Sequence, residues 1–421
     1  MVRLNLIQSL PLIAALLLPA TLTAQERVKL TVEQPTGGSV TVSPEPGADG
    51  TVSKGSTVTI HATPAKGYML DGIYATVNGP WAYYNECCAP ESLLVMRDNM
   101  TVGASFRPKK EFADLNITNN VVYARPGKKA LRYDVYSPRG ARRLPIIIIV
   151  HGGGWSSNTE DIMRGMGRTL AQSGRYVVFS IDYRFIGKGD GEDTPVEMYQ
   201  IIEDVYGAIA YILEHAAQYG GDATRVFITG DSAGGHLSAS AINFADRIGD
   251  GGFGRQAGVW EFRPTYMPAG KTTAEVRDMI CSSLLGAIPT YPVLTAGLLS
   301  HWDKAAQEKI KAVTPLYYIP DAKVRRVPQL IVRGMQDGLI KDEDMRLYCD
   351  SMQAKGQDIK YLQVGGIGHA FFDWRHDPRS QQTFDKYARP QIEIILSFCD
   401  NILKERAAEQ SKTKSSRKRG A

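Results

Sequence analysis

Gly230-Asp231-Ser232-Ala233-Gly234 decides how this chain is read. It follows the apolar run Arg225 to Thr229, which predicts a strand, and precedes Gly235 to Ile242, which is compatible with a helix. A serine centred in G-x-S-x-G between strand and helix is a nucleophile elbow, whose strained turn lifts the hydroxyl clear of the sheet. The glycines serve that geometry, because only small flanking residues let strand and helix come close. Ser232 is therefore the candidate nucleophile.

Working outward, Pro145 to Val150 predicts a buried parallel strand that runs into His151-Gly152-Gly153-Gly154-Trp155. A glycine run at a strand end presents backbone N–H groups that can hold the oxyanion of a tetrahedral intermediate. The candidate donors are Gly152, Gly153 and Ala233, with Gly154 as a helper. The remaining partners of the serine should follow in the order acid, then histidine. Asp337 stands in the loop after the strand-like run Pro328 to Arg333, and His369 in the loop after Ile359 to Val364. His369 is then the general base, and Asp337 fixes its tautomer. The rival groups His301, His376, Asp342, Asp344 and Asp373 follow a strand-like run less directly. His236, one turn along the elbow helix, is expected to pack beneath the site, Asp231 to point away from it, and His151 to brace the glycine loop.

His151 to Trp155, Gly230 to Gly235, Gly334 to Asp337 and Gly368-His369 together resemble the α/β-hydrolase fold esterases of the hormone-sensitive-lipase-like and bacterial feruloyl/acetyl esterase group. The resemblance covers residues 115–404. It implies a doubly wound, mostly parallel sheet and a serine carboxylesterase with no metal or organic cofactor, acting on acetyl, feruloyl or other aryl esters of plant-type polysaccharides or phenolics. Two rival readings are a serine peptidase of the prolyl-oligopeptidase type and a non-catalytic surface-binding protein. No long propeller-like repeat precedes the hydrolase, and all catalytic positions are filled.

Residues 27–108 read differently, as short alternating strands at 28–32, 38–42, 56–62, 93–95 and 101–106 between Gly, Pro and Asn turns, a small all-β module. Gly37 to Pro44, Gly55 to Ala62, Gly67-Tyr68 and Asn99 to Phe106 resemble a divergent internalin-B-type repeat, which implies a spacer or a surface or glycan contact. Trp81, Tyr83 and Tyr84 suit sugar stacking or packing against the hydrolase domain. Every candidate catalytic group lies beyond Val150, so the module is expected to be an accessory. Arg107 to Glu111 is the expected linker.

Beyond the linker, an antiparallel hairpin is expected at 121–123 and 131–136. Strands at 146–150, 176–181 and 225–229 then alternate with helices near 160–173 and 197–217. An insertion at about 244–277 carries Phe253, Trp260, Phe262 and Tyr266; these rings, with Phe371, Phe372 and Trp374, either line an acyl or aryl pocket or pack the core. Trp155, Trp260 and Phe371 are the named substrate contacts. Met279 to Leu285 is expected as the next strand.

Arg3, the apolar stretch Leu10 to Ala20 and the small-residue region before Ala24 predict a signal peptide over 1–24. The apolar core is too short for a membrane span, so a periplasmic, cell-surface or extracellular location is expected. Five cysteines without a Cys-x-x-Cys pair argue against a metal site and against a full disulfide framework. The net charge of +5 is carried by the five basic residues of the tail from Ser411 to Ala421. A nucleic-acid role is thereby disfavoured, and 405–421 is expected as a disordered basic end.

Overall fold

The computed structural model describes residues 25–77, 84–249, 261–301, 303, 305 and 307–419. Residues 1–24, Trp81, Tyr83, Phe253 and Trp260 lie outside them, and so do the expectations placed there.

The module is built from β1 (Arg27–Val32), β2 (Gly38–Ser43), β3 (Thr51–Ser53), β4 (Thr57–Pro64), β5 (Tyr68–Val77), β6 (Tyr84–Cys87), β7 (Glu91–Val95) and β8 (Met100–Pro108). They form a five-stranded sheet, β3-β1-β8-β5-β6, and a three-stranded sheet, β2-β4-β7. Val40, Val58, Ile60, Ile73, Val102 and Phe106 fill one core between them. Alternation is what makes this possible, since a period of two sends every second side chain inward. β3, β5 and β6 were not foreseen. In β5 the Asp71-Gly72 pair breaks the apolar run, and the register shifts between Leu70 and Gly72 where it pairs with β8. Such irregularities re-aim side chains; Asp71 is completely buried.

The second domain carries one eight-stranded sheet in the order β16-β15-β14-β13-β11-β12-β10-β9. Its strands are β9 (Leu115–Ala124), β10 (Leu131–Pro138), β11 (Leu144–Val150), β12 (Val177–Ile181), β13 (Gly221–Asp231), β14 (Leu284–Thr290), β15 (Gln329–Gly334) and β16 (Ile359–Val364). β9 and β10 form the expected antiparallel hairpin, and the strands from β12 to β16 pair in parallel. Ile146 to Val150 at the centre are fully buried, which is why this strand reads as an unbroken apolar run.

Two expectations fail here. Met279 to Ser283 closes a helix, Thr273–Ser283, and the strand begins only at Leu284. Thr272 and Glu275 form a capping box that starts this helix, and a short apolar run cannot by itself distinguish its last turn from a strand. The basic tail continues the helix Arg389–Arg419 instead of being disordered. Arg326 contributes to anchoring that extension, pairing with Glu405 and Glu409. Among the described residues, no helix is long and apolar enough to cross a membrane.

The expected linker is not a free spacer. Arg107 lies over the Trp374 ring at 5.5 Å and pairs with Glu111. Asp71 takes hydrogen bonds from Arg168, from Arg164 at 3.5 Å and from the Trp374 indole at 3.2 Å. Tyr74 stacks on His376 at 3.7 Å. The module is docked by a buried charge cluster.

Candidate active site

β13 delivers Ser232 to the head of the helix Ala233–Asn243 with φ 52° and ψ −111°, left-handed backbone that a serine adopts only when its surroundings force it. A Cβ on Gly234 would stand 2.0 Å from the Val150 carbonyl oxygen, and one on Gly230 would stand 2.5 Å from the Gly234 carbonyl oxygen. The two glycines are thus required by close contact, not by backbone conformation. The Ser232 N–H donates to Thr290 O at 2.9 Å, tying the turn to the end of β14.

His369 Nε2 lies 2.8 Å from Ser232 Oγ, and His369 Nδ1 lies 2.8 Å from Asp337 Oδ2. With Nδ1 donating to the carboxylate, Nε2 is left to accept the serine proton. The other Asp337 oxygen accepts from Leu339 N and Ile340 N, each at 2.9 Å. Burial works to raise the Asp337 pKa, but the His369 hydrogen bond and charge and the two backbone donors outweigh it and hold the carboxyl below its usual value. It is therefore a carboxylate across the neutral range. The three groups expected at three strand ends meet in one place.

The rivals are engaged elsewhere. His301 Nδ1 hydrogen-bonds Leu298 O, and His376 stacks on Tyr74 of the module. Asp342 takes Arg346 and Tyr361, and Asp344 takes Thr295. His236 sits beneath the site as expected, buried, with Nε2 on Val313 O at 2.8 Å; burial brings its pKa down to about 4, against the opposing pull of that carbonyl. His151 braces the glycine loop through Gly152 O and Asp182.

Three named residues need correction. The Gly152 N–H is spent on Asp231 Oδ1 at 2.6 Å and cannot serve an oxyanion. The N–H groups of Gly153, Gly154 and Ala233 meet no acceptor among the described residues, so these three remain as donors. Trp155 is 1% exposed; its indole donates to His236 Nδ1 at 3.3 Å, making it a brace under the loop and not a substrate contact. Phe371 is equally buried, packed on Tyr291 and Phe372 at 5.2 and 4.9 Å, because Ala370 at φ 60° turns the chain inward directly after His369. Phe372, Phe262 and Trp374 are likewise buried, so their rings serve the core, whereas Trp260 lies outside the described residues.

Two residues of the site were missed. Asp231 does point away from Ser232, but toward Gly152, which makes it the link between the elbow and the glycine loop. Burial, then the neighbouring Asp373 charge, drives its pKa well above the ordinary carboxyl range. Tyr291, one residue past β14, places its ring 4.7 Å from that of His369 and accepts from Phe372 N. Its position at a strand end was the available signal.

A nucleophile on a strained turn, a base oriented by a buried carboxylate and free backbone donors, all at the carboxyl ends of a mostly parallel sheet, define an α/β-hydrolase with serine-nucleophile geometry. Residues 133–257 match the model of the BD-FAE family, and residues 28–110 match that of the divergent InlB B-repeat domain. It is 36% identical over 117 residues to carboxylesterase NlhH of Mycobacterium tuberculosis, covering 27% of this chain and 34% of that protein. It is 26% identical over 276 residues to the protein named "Probable isoprenylcysteine alpha-carbonyl methylesterase ICMEL1" of Oryza sativa, covering 61% and 58% respectively. The chain thus spans from a third to under two thirds of the length of these relatives. The apo form of Thermogutta terrifontis esterase 2 superposes with a TM-score of 0.50 at 24% identity, over 70% of this chain and 97% of that one, which shows the fold.

Proposed function

We propose that this protein is a serine carboxylesterase that hydrolyses acyl esters through Ser232, His369 and Asp337. The observation that carries the reading is the 2.8 Å contact of His369 Nε2 with Ser232 Oγ, backed by the 2.8 Å contact of Nδ1 with Asp337. His369 accepts the serine proton as Oγ attacks the ester carbonyl. The oxyanion that forms is received by the N–H groups of Gly153, Gly154 and Ala233, donors already in place before charge develops. His369 then returns the proton to the leaving alcohol, and water repeats the cycle on the acyl-enzyme with the same base.

The substrates in this reading are acetyl or feruloyl and other aryl esters, of plant-type polysaccharides or phenolics, handled after export. The BD-FAE match and the ester-hydrolase names of the relatives support the ester class. The predicted signal peptide supports export, and the repeat module could then add a glycan or surface contact. The test is turnover of p-nitrophenyl acetate, methyl ferulate, acetylated xylan and a prolyl peptide by the wild-type chain and Ser232→Ala. Ester hydrolysis abolished in the variant supports the proposal; peptide cleavage without ester cleavage, or activity surviving in the variant, refutes it.

A further inference from the structure

We propose that Cys88, Asp134 and Asp161 form a binding site for one divalent cation of the zinc class, set in the seam between the module and the hydrolase domain. Their ligand atoms, one thiol sulfur and two carboxyl oxygens, all lie within 4.8 Å of one another. All three residues are buried, at 7%, 0% and 3% exposure. They come from three distant segments: the connection between β6 and β7, strand β10, and the short turn Glu160–Met163. This is why cysteine spacing alone gave no sign of a metal.

A second observation points to a ligand. Asp161 Oδ1 is buried and meets no donor among the described residues except a proton shared with the facing Asp134 carboxyl, while Oδ2 accepts from Cys88 N at 2.9 Å. A buried carboxylate oxygen without a donor is costly and calls for a cation or a proton. Asp134 does not supply that donor as a carboxylate: it accepts from Asn120 N at 2.8 Å and from the Tyr136 hydroxyl at 3.3 Å. The Cys88 thiol donates to Asp71 O at 3.1 Å, so its sulfur lone pairs remain available.

The donor set selects the ion. A thiolate excludes magnesium and calcium, two carboxylates disfavour copper(I), and one sulfur with two oxygens suits zinc. Zinc bonds of about 2.0–2.3 Å put tetrahedral oxygen and sulfur ligands roughly 3.3–3.5 Å apart, so from a spread within 4.8 Å binding would draw these atoms together by up to about 1.5 Å. Charge balances as well. A divalent ion with a thiolate and two carboxylates is a net monoanion, and the adjoining Arg164 and Arg168, less the charge of Asp71, form a net monocation. Binding displaces two protons, one from the thiol and one held between the facing acids, and pins the module to the hydrolase domain without touching the catalytic face.

The test uses the full-length protein, stripped with a chelator and titrated with zinc and then, separately, with cobalt. The expected result is one ion per chain, two protons released near neutral pH, a Tm raised by several degrees, and a thiolate-to-cobalt charge-transfer band. Cys88→Ser should remove the band and weaken zinc binding at least tenfold. Asp161→Asn should remove stoichiometric uptake while its metal-free Tm stays at or above that of the stripped wild type. No stoichiometric uptake by the wild type, with Asp134 and Asp161 merely sharing a proton, overturns the site. So does uptake that is unchanged in both variants, or a cobalt spectrum without thiolate character, which decides the matter even if the variants fail to fold.

Discussion

Asp71→Ala tests whether the N-terminal module is an ornament or a structural part of the hydrolase. Asp71 is wholly inaccessible to solvent, and it faces two guanidinium groups that are themselves almost wholly buried, Arg164 and Arg168. Those charges hold its carboxyl far below the usual range against the opposing effect of burial. Truncation leaves both cations without their counter-ion, and breaking a buried pair in this way costs about 3–5 kcal/mol. At about 2–4 °C per kcal/mol, the Tm should fall on the order of 10 °C. The lost bond to the Trp374 indole also frees the far end of the loop that begins at His369. Activity on p-nitrophenyl acetate, measured below the lower Tm, should therefore fall as well. Adding Arg168→Met should recover part of the Tm, because it removes one of the stranded charges. Calorimetry and kcat/KM decide it: a Tm within about 1 °C of wild type, or a folded 25–108 deletion with unchanged turnover, would show that the seam carries no such energy.

Four further outcomes are expected. Ser232→Ala and His369→Ala should each lose about a million-fold in kcat, and Asp337→Asn about ten-thousand-fold, with His376→Ala near wild type; steady-state kinetics on a short ester checks the ranking. Gly153→Ala should cost about 10²–10³ in kcat, because Gly153 sits at φ 115° and an added Cβ would stand 2.2 Å from Ser157 O, displacing the donor; a shift confined to KM would count against it. His236, with a pKa lowered to about 4, binds fewer protons folded than unfolded. Its contribution is complete above about pH 6.5 and fades as pH falls toward 4, by up to about 3 kcal/mol, so Tm should drop across that window and drop less in His236→Gln. Asp71 and Asp337, both held low, add stability present above about pH 4 and lost below it, so acid denaturation should shift to higher pH in Asp71→Ala.

The candidate catalytic groups were legible because each is tied to a local pattern. Ser232 stands in a glycine-framed turn, Asp337 and His369 in loops directly after apolar runs, and chain order assigns the roles. Trp155 and Phe371 misled because sequence shows that an aromatic ring is near the site but not which way it faces. Backbone at φ 58° and a turn at Ala370 send both rings inward. Gly152 could not be separated from Gly153 by composition, since the distinction rests on a side chain 79 positions away. Asp71 had no signature at all: its partners lie 93, 97 and 303 residues along the chain, and long-range charge pairing leaves no periodic trace.

The bond from Gly152 N to Asp231 has a mechanical meaning. Asp231 is the residue immediately before the nucleophile, and Gly152 the one immediately before the donor Gly153. A single hydrogen bond therefore yokes the attacking atom and the charge receptor through one peptide step on either side. That bond sets their separation through short, stiff connections on both sides, so substitutions that retune the surroundings of Ser232 are expected to shift both halves of the site in concert.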